Sequence, residues 1–575
     1  MIKKLLYFFN KNQKKSLLIL FIFMVITTIL EITSLGLIFS IVGSLGDANT
    51  KSSLFTDKIS AFFELDKIEI FSSLLIIFIF FYLIKIVFLL FYNWFEGSFL
   101  YSYKEYLSSK LFQKYLNQDF NFFYNRNSSE FIRNVITEGD RFVVYLVSVL
   151  KLALEIIILI GIFSFLAYIN LYFAFLVLII LLFFSSLYFF LLKDKLSAWG
   201  LLRQSGMQKL IQFMQEGFGG IKIIKLLGRE KFFFNKFKIY NFNLSKIFIK
   251  SYFFNGLPKL MFELVGIFLI SASLFFLYYS GKSLIEITQI LSIYIAASFR
   301  ILPSITKVTA GLQQIKLNVP VINLLYSELK SFQKESQTSN EKFSFNKNIF
   351  IDIKKFQYLN SKKFEISNVK INISKGQKIG IIGPTASGKS TIVEIITGIL
   401  EPTIGDIIVD EKSIFSNRRG WQKLIGFVPQ KIFILDESLR NNILFGLDSK
   451  KYNDDKVISV IKKLSLESLL KRIPDGLDGN LGEHGINLSG GEIQRIGLCR
   501  TLIHDPEILF LDEATSSLDV NTESQILNEL QVFKEKTIIS IAHRINTLKN
   551  CDKIYRFDNG KVVDEGDFNK FKMQN

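Results

Sequence analysis

The chain has 575 residues, too many for one ordinary domain. Nearly half the residues are apolar, 60 are Phe, and the formal net charge is +18. Its Lys and Arg residues cluster beside apolar runs with no recognition motif among them, which points to membrane topology and sets nucleic acid aside.

A bilayer core about 30 Å thick asks for roughly 20 apolar residues in a helix. Six runs qualify: 16–44, 70–94, 142–169, 171–192, 253–279 and 285–306. The first is too long for the core of a signal peptide and is read as a retained span. Lys3, Lys4, Lys11, Lys14 and Lys15 precede it, and a basic stretch from Lys193 to Arg229 separates the fourth run from the fifth. The loop after the first run is acidic instead, with Asp47, Asp57, Glu64 and Asp66. The positive-inside rule then places both termini in the cytoplasm. The connections 95–141 and 193–252 are long and amphipathic, as expected of spans that continue into the cytoplasm as helices.

Charged residues inside the runs are costly and draw attention to Glu31, Lys85, Lys151, Glu155, Glu263 and Arg300. Lys151 and Glu155, four apart, are spaced to pair on one helix face. Arg300 stands just before Pro303, where a kink could open a cavity, and its guanidinium could hold a phosphate.

Beyond residue 320 the apolar runs stop. Residues 321–345 read as a polar linker between a membrane domain, 1–320, and a domain of alternating strand and helix patterns, 346–575. Both cysteines, Cys499 and Cys551, lie in the last domain at no paired spacing, which suits buried thiols in a reducing cytoplasm. The strand-like run 378–382 leads into Gly383-Pro384-Thr385-Ala386-Ser387-Gly388-Lys389-Ser390-Thr391, and a helix-like run follows. That is a phosphate-binding loop in its required context. Backbone N–H groups at the helix start cradle phosphate oxygens, Lys389 neutralises the β and γ phosphates, and the Ser390 hydroxyl is placed to ligate Mg²⁺. Residues 508–511 form a buried strand ending in Asp512 and Glu513. Asp512 would orient the Mg²⁺ shell and Glu513 would polarise water as general base.

Leu488-Ser489-Gly490-Gly491 resembles the signature motif of the ATP-binding cassette family, and other elements of that family follow in order. Tyr358 resembles the aromatic residue that stacks on adenine. Gln430 resembles the residue that reaches Mg²⁺ and senses the membrane domain. Ser517-Leu518-Asp519 resembles the D-loop, His543 the switch histidine at the γ-phosphate, and Gly482-Glu483 the cross-linking loop of exporters. Glu492 departs from the pattern, since the family usually has Gln there. The resemblance implies weakened rather than abolished function at that position.

It further implies a multidomain membrane protein, a six-helix transmembrane domain followed by an α/β phosphate-loop domain, with ATP and Mg²⁺ as cofactors. The signature Ser489 of one copy closes over the phosphate loop of a second, so a homodimer is expected, multi-pass in a bacterial inner membrane. Coupling helices are expected near 119–126 and 219–228. The membrane half is similar to bacterial flippases of lipid-linked oligosaccharides in Leu30-Glu31-Ile32-Thr33, in Pro258-Lys259 with Glu263, and in Phe299–Ser304. That likeness makes Lys259 and Arg300 candidates for guiding a pyrophosphate headgroup, with helix anchoring as the competing role. Export of another amphiphile (lipid A, a drug or a peptide) remains open, as does an ATP-gated channel or a regulator that transports nothing.

Overall fold

The computed structural model describes residues 2–44, 67–124, 126–169, 171–279, 284–331, 342–358, 364–448, 451–513, 535–542 and 544–573. They fall into two compact units: Met1–Gln118 with Arg126–Gln333, and Asp119–Asn125 with Lys334–Asn575.

The first unit is helical. A short α1 (Ile2–Phe8) precedes α2 (Lys11–Ser44) and α3 (Lys67–Leu116). After α4 (Phe120–Tyr124), which belongs to the second unit, come α5 (Ser128–Ile132) and a π-helical turn at Arg133–Thr137. Then follow α6 (Glu138–Ile169), α7 (Leu171–Gly219), α8 (Ile221–Leu227), α9 (Glu230–Tyr279) and α10 (Leu284–Ser331). Helices α3 and α9 have 50 residues each, about 75 Å at the usual rise, so each far outruns a bilayer. By length and composition five helices among the described residues are able to cross a membrane. The most apolar, in α3, has only 11% of its window buried, so its side chains face outward and suit lipid rather than a protein core. The sixth expected run falls in α10, whose first turns carry side chains outside the described set.

Helix α10 packs on α6, α7 and α9, and α2 packs on α3 and α6. Ile158, Ile162, Phe262, Ile301 and Ile305 form the shared core. Nearer the α5 end several buried groups are charged and form pairs. Arg203 meets Glu138 at 3.1 Å, both nearly inaccessible. The Tyr115 hydroxyl donates to Glu328 at 3.0 Å, and Arg126 bridges Glu130 and Glu328 at 2.6 Å each. The spacing of Lys151 and Glu155 does not decide the partner of Glu155. Its carboxylate bonds Lys307 Nζ of α10 at 2.7 Å, because tertiary packing brings that cation closer than the helix's own turn.

The second unit has two sheets. In the antiparallel sheet, order β2-β1-β4-β5, β1 (Asn348–Gln357) pairs with β2 (Glu365–Ser374) and β4 (Ile404–Val409), with β5 (Lys412–Ser413) at the edge. Ile351 faces Ile371 on one side and Ile407 on the other. The larger sheet runs β10-β9-β3-β8-β7-β6: β10 (Lys561–Gly566), β9 (Lys553–Asp558), β3 (Lys378–Ile382), β8 (Thr537–Ile541), β7 (Ile508–Asp512) and β6 (Ile425–Val428). All but edge strand β10 are parallel. This explains the short continuous apolar runs of β3 and β7, which are buried on both faces. Ile349, Ile381, Ile392 and Phe510 belong to one core that both sheets share. Between β3 and β7 the chain adds helices α11 (Lys389–Ile396), α12 (Arg418–Gln422), α13 (Leu439–Leu444), α14 (Asp454–Lys463), α15 (Glu467–Arg472) and α16 (Gly490–Leu502). The last four gather around Ile443, Ile461, Leu469 and Ile496.

Candidate functional site

In a parallel sheet, ligands gather outside the carboxyl ends of the strands. That is where the chemistry-bearing residues lie. Gly383 follows β3, Gln430 stands two residues after β6, and Asp512 and Glu513 close β7.

The loop after β3 is shaped by its glycines. A Cβ on Gly383 would stand 2.2 Å from the carbonyl oxygen of Phe557, so no other residue fits. Gly388, at φ 104°, opens α11 in a backbone conformation that side chains disfavour. Between them Lys389 Nζ donates to the carbonyls of Gly383 and Pro384, each at 2.9 Å. Burial pushes the ammonium below the usual lysine range, against the pull of Glu513 and Asp512. The buried Ser387 hydroxyl has no hydrogen-bond partner among the described residues. A buried polar group of this kind calls for a ligand atom. With exposed Ser390 and the N–H groups at the start of α11, the loop fits an anion with several oxygens.

Opposite the loop, Gln430 Nε2 donates to Glu513 Oε2 at 2.6 Å. Glu513 has φ 48°, a left-handed backbone, and its N–H donates to Ile541 O at 3.2 Å. A glutamate held this way carries local strain. Asp512, Ser390 and Gln430 offer one carboxylate, one hydroxyl and one amide oxygen. That donor set fits Mg²⁺, which takes few protein oxygens and leans on phosphates and water.

Tyr358, one residue past β1, is pinned by its hydroxyl, which lies 3.1 Å from Thr391 Oγ1 and 3.3 Å from Glu394 Oε2. Burial, opposed by the Thr391 bond, pushes this phenol up to about 12. Burial, helped by the charge of Asp512, also holds the Glu394 carboxyl above its ordinary range. Tyr124 of α4 covers a face of the Tyr358 ring, with centroids 4.6 Å apart and planes at 12°. Asp119, just before α4, pairs with Arg418 at 3.2 Å. Ser489 caps α16, followed by Gly490 and Gly491 in its first turn. Asp519 and His543 lie outside the described residues.

A family model described as the ABC transporter matches residues 366–516, and one described as the ABC transporter transmembrane region matches 17–302. The chain belongs to the ABC transporter family. Among ABC transporters it resembles a putative export ATP-binding/permease protein of Rickettsia bellii, 34% identical over 250 residues, covering 43% of this chain and 41% of that protein. It is also similar to the mitochondrial iron-sulfur clusters transporter ATM1 of Candida albicans, 39% identical over 206 residues, covering 35% and 27% of the two chains. The chain thus aligns with well under half the length of these curated relatives. A solved bacterial Atm1-family ABC exporter with ATP bound shares the fold, with TM-score 0.81, 19% identity, and 98% and 97% of the two chains covered.

In this ABC transporter the two membrane-domain candidates part company. Lys259 lines a cavity of about 460 Å³ with Glu263, Phe299, Leu302, Pro303 and Lys307, between α9 and α10. The Arg300 guanidinium instead meets Glu31 of α2 at 3.0 Å, with Glu155 of α6 at 4.0 Å. Glu31 also accepts from Lys85 of α3 at 3.0 Å. The Arg300 side chain thus links α10 to α2 through an ion pair. Sequence reasoning missed Tyr124, Glu394 and Arg418. Glu394 was within reach, since it stands one helical turn after Thr391; the other two have partners that no local spacing reveals.

Proposed function

We propose that this chain is one half of an ATP-driven exporter that works as a pair of identical copies in a bacterial inner membrane, its nucleotide-binding unit and both termini cytoplasmic. The carrying observation is the convergence of the Gly383–Thr391 loop, Gln430 and the Asp512–Glu513 pair at one end of the parallel sheet. In this reading Tyr358 supports adenine. Residues Gly383, Pro384, Thr385, Ala386, Ser387, Gly388, Lys389, Ser390 and Thr391 hold the phosphates. Ser390, Gln430 and Asp512 would hold Mg²⁺, which when bound neutralises phosphate charge. Glu513 takes a proton from the attacking water, while His543 contacts the γ-phosphate. Ser489, Gly490, Gly491 and Asp519 act across the pair, closing over the partner's nucleotide. Drawing two copies together favours one state of the membrane unit over another, and only that difference in affinity can move cargo.

The cargo we propose is an amphiphile, specifically a lipid-linked oligosaccharide. The apolar cavity that presents Lys259, beside Glu263 and the Glu155-paired Lys307, supports a charged head on an apolar body. The iron-sulfur clusters transporter ATM1 of Candida albicans is named for a different cargo, and export of such a cargo is the second reading. Hydrolysis by the purified chain in liposomes tests both levels, with and without a polyprenyl-pyrophosphate oligosaccharide. Stimulation by the lipid, with loss of turnover in Glu513→Gln, is expected. Turnover that persists in Glu513→Gln overturns the motor assignment; turnover indifferent to the lipid overturns the cargo assignment alone.

A further inference from the structure

Ser489 has one hydroxyl proton, and that proton already has an acceptor. Its Oγ donates to Glu492 Oε2 at 2.9 Å, and its backbone N–H donates to the same oxygen at 2.8 Å. The Glu492 N–H donates back to Ser489 Oγ at 3.3 Å, completing a capping box at the start of α16. A glutamine would close the same box without charge. The glutamate brings a carboxylate into contact with the residue read as a phosphate ligand. An ionised acceptor holds a hydroxyl proton about twice as strongly as a neutral one, and its charge opposes an incoming phosphate.

That charge has a counterpart. Arg472, the last residue of α15, places Nη2 2.9 Å from Glu492 Oε1 and 3.0 Å from Oε2. The same nitrogen lies 3.3 Å from the carbonyl of Asn487, two residues before Ser489. The Glu492 side chain is 12% exposed while that of Arg472 is 57% exposed, so the arginine covers the carboxylate from the solvent side. Burial raises the Glu492 carboxyl, but the Ser489 donors and Arg472 outweigh it and hold the group below its ordinary range.

We infer that Arg472 is a positioning residue for Ser489: by neutralising Glu492 it lets the serine hydroxyl pass to a phosphate of the opposing nucleotide. The inference rests on the proposed reading of Ser489. Glu492 and Arg472 form a linked pair in which the arginine is required only because position 492 is acidic.

The test is ATP hydrolysis by the full chain in liposomes, with KM and kcat measured separately and the melting point of each variant recorded. Arg472→Ala leaves the carboxylate uncompensated and raises KM for ATP about tenfold, a size set by one charge near a partly screened anion. Arg472→Lys keeps the charge and lies between. Arg472→Ala combined with Glu492→Gln returns KM to within about twofold of the parent, because no charge is left to neutralise. Glu492→Gln alone stays within the same range. A purely structural Arg472 would leave the double variant as impaired as Arg472→Ala, and that result overturns the inference, as does an unchanged KM in Arg472→Ala. Hydrolysis that survives Glu513→Gln instead sinks the reading of the site, and the inference with it.

Discussion

Tyr124 and a purine base compete for one surface. The Tyr358 ring cannot turn aside, because its hydroxyl is held by Thr391 and Glu394. Phe356 stands edge-on beside it, 5.0 Å away at 80°. The near-parallel contact with Tyr124, 4.6 Å between centroids, therefore has to part before a base can stack there. An aromatic pair of this geometry contributes about 0.5–1.5 kcal/mol beyond its buried area. Removing it with Tyr124→Ala should tighten ATP binding by roughly two- to tenfold. Tyr124→Phe keeps the ring and should bind like the parent. Titration of the full-length Glu513→Gln protein with a fluorescent ATP analogue reads the effect without turnover. Weaker binding in Tyr124→Ala would mean that the ring holds the base rather than covering its platform, and the competition argument would fail.

Two further outcomes follow from buried or tightly held charges. Glu138→Gln leaves Arg203 unpaired in a site where both side chains are nearly inaccessible, so a loss of about 3–5 kcal/mol is expected. A melting point in detergent within a degree or two of the parent would refute it. Asp410 accepts the N–H groups of Asn346, Lys347 and Asn348, the last two at 2.8 and 3.0 Å. Burial raises its carboxyl, but those three donors outweigh it and depress it. Its folded value lies below its unfolded one, so its contribution is complete above the ordinary carboxylate range. It disappears as pH falls through the depressed value. Asp410→Asn should flatten the acid limb of stability against pH, and an unchanged limb would count against the assignment.

What the sequence made legible is what local geometry encodes. The loop 383–391 and the strand ending at Asp512 each need their residues within one turn or one strand, so spacing exposes them, whereas Ser489 is marked by the resemblance of Leu488–Gly491 to a signature motif. The sixfold pattern of apolar runs was legible locally too, since lipid sets the length of a span. Partners brought together only by folding were not. Glu155 finds Lys307, 152 positions away, rather than the cation one turn earlier on its own helix. Arg300, weighed as a headgroup contact or a helix anchor, pairs with Glu31 of α2, a partner its neighbours in sequence do not reveal. Tyr124 fell within a segment already expected to be a coupling helix, yet nothing in its neighbours marks the ring as a cover for Tyr358.

The left-handed backbone at Glu513 sets two selective demands against each other. Glycine would relax that residue, and asparagine would tolerate it better than glutamate does. Either would remove the proposed base. A lineage screened for heat resistance alone would drift toward those replacements and lose turnover, while one screened for turnover keeps a local cost of about 1 kcal/mol. Thermal robustness and catalytic competence are thus opposed at a single φ angle, and thermostabilisation of this chain should begin elsewhere.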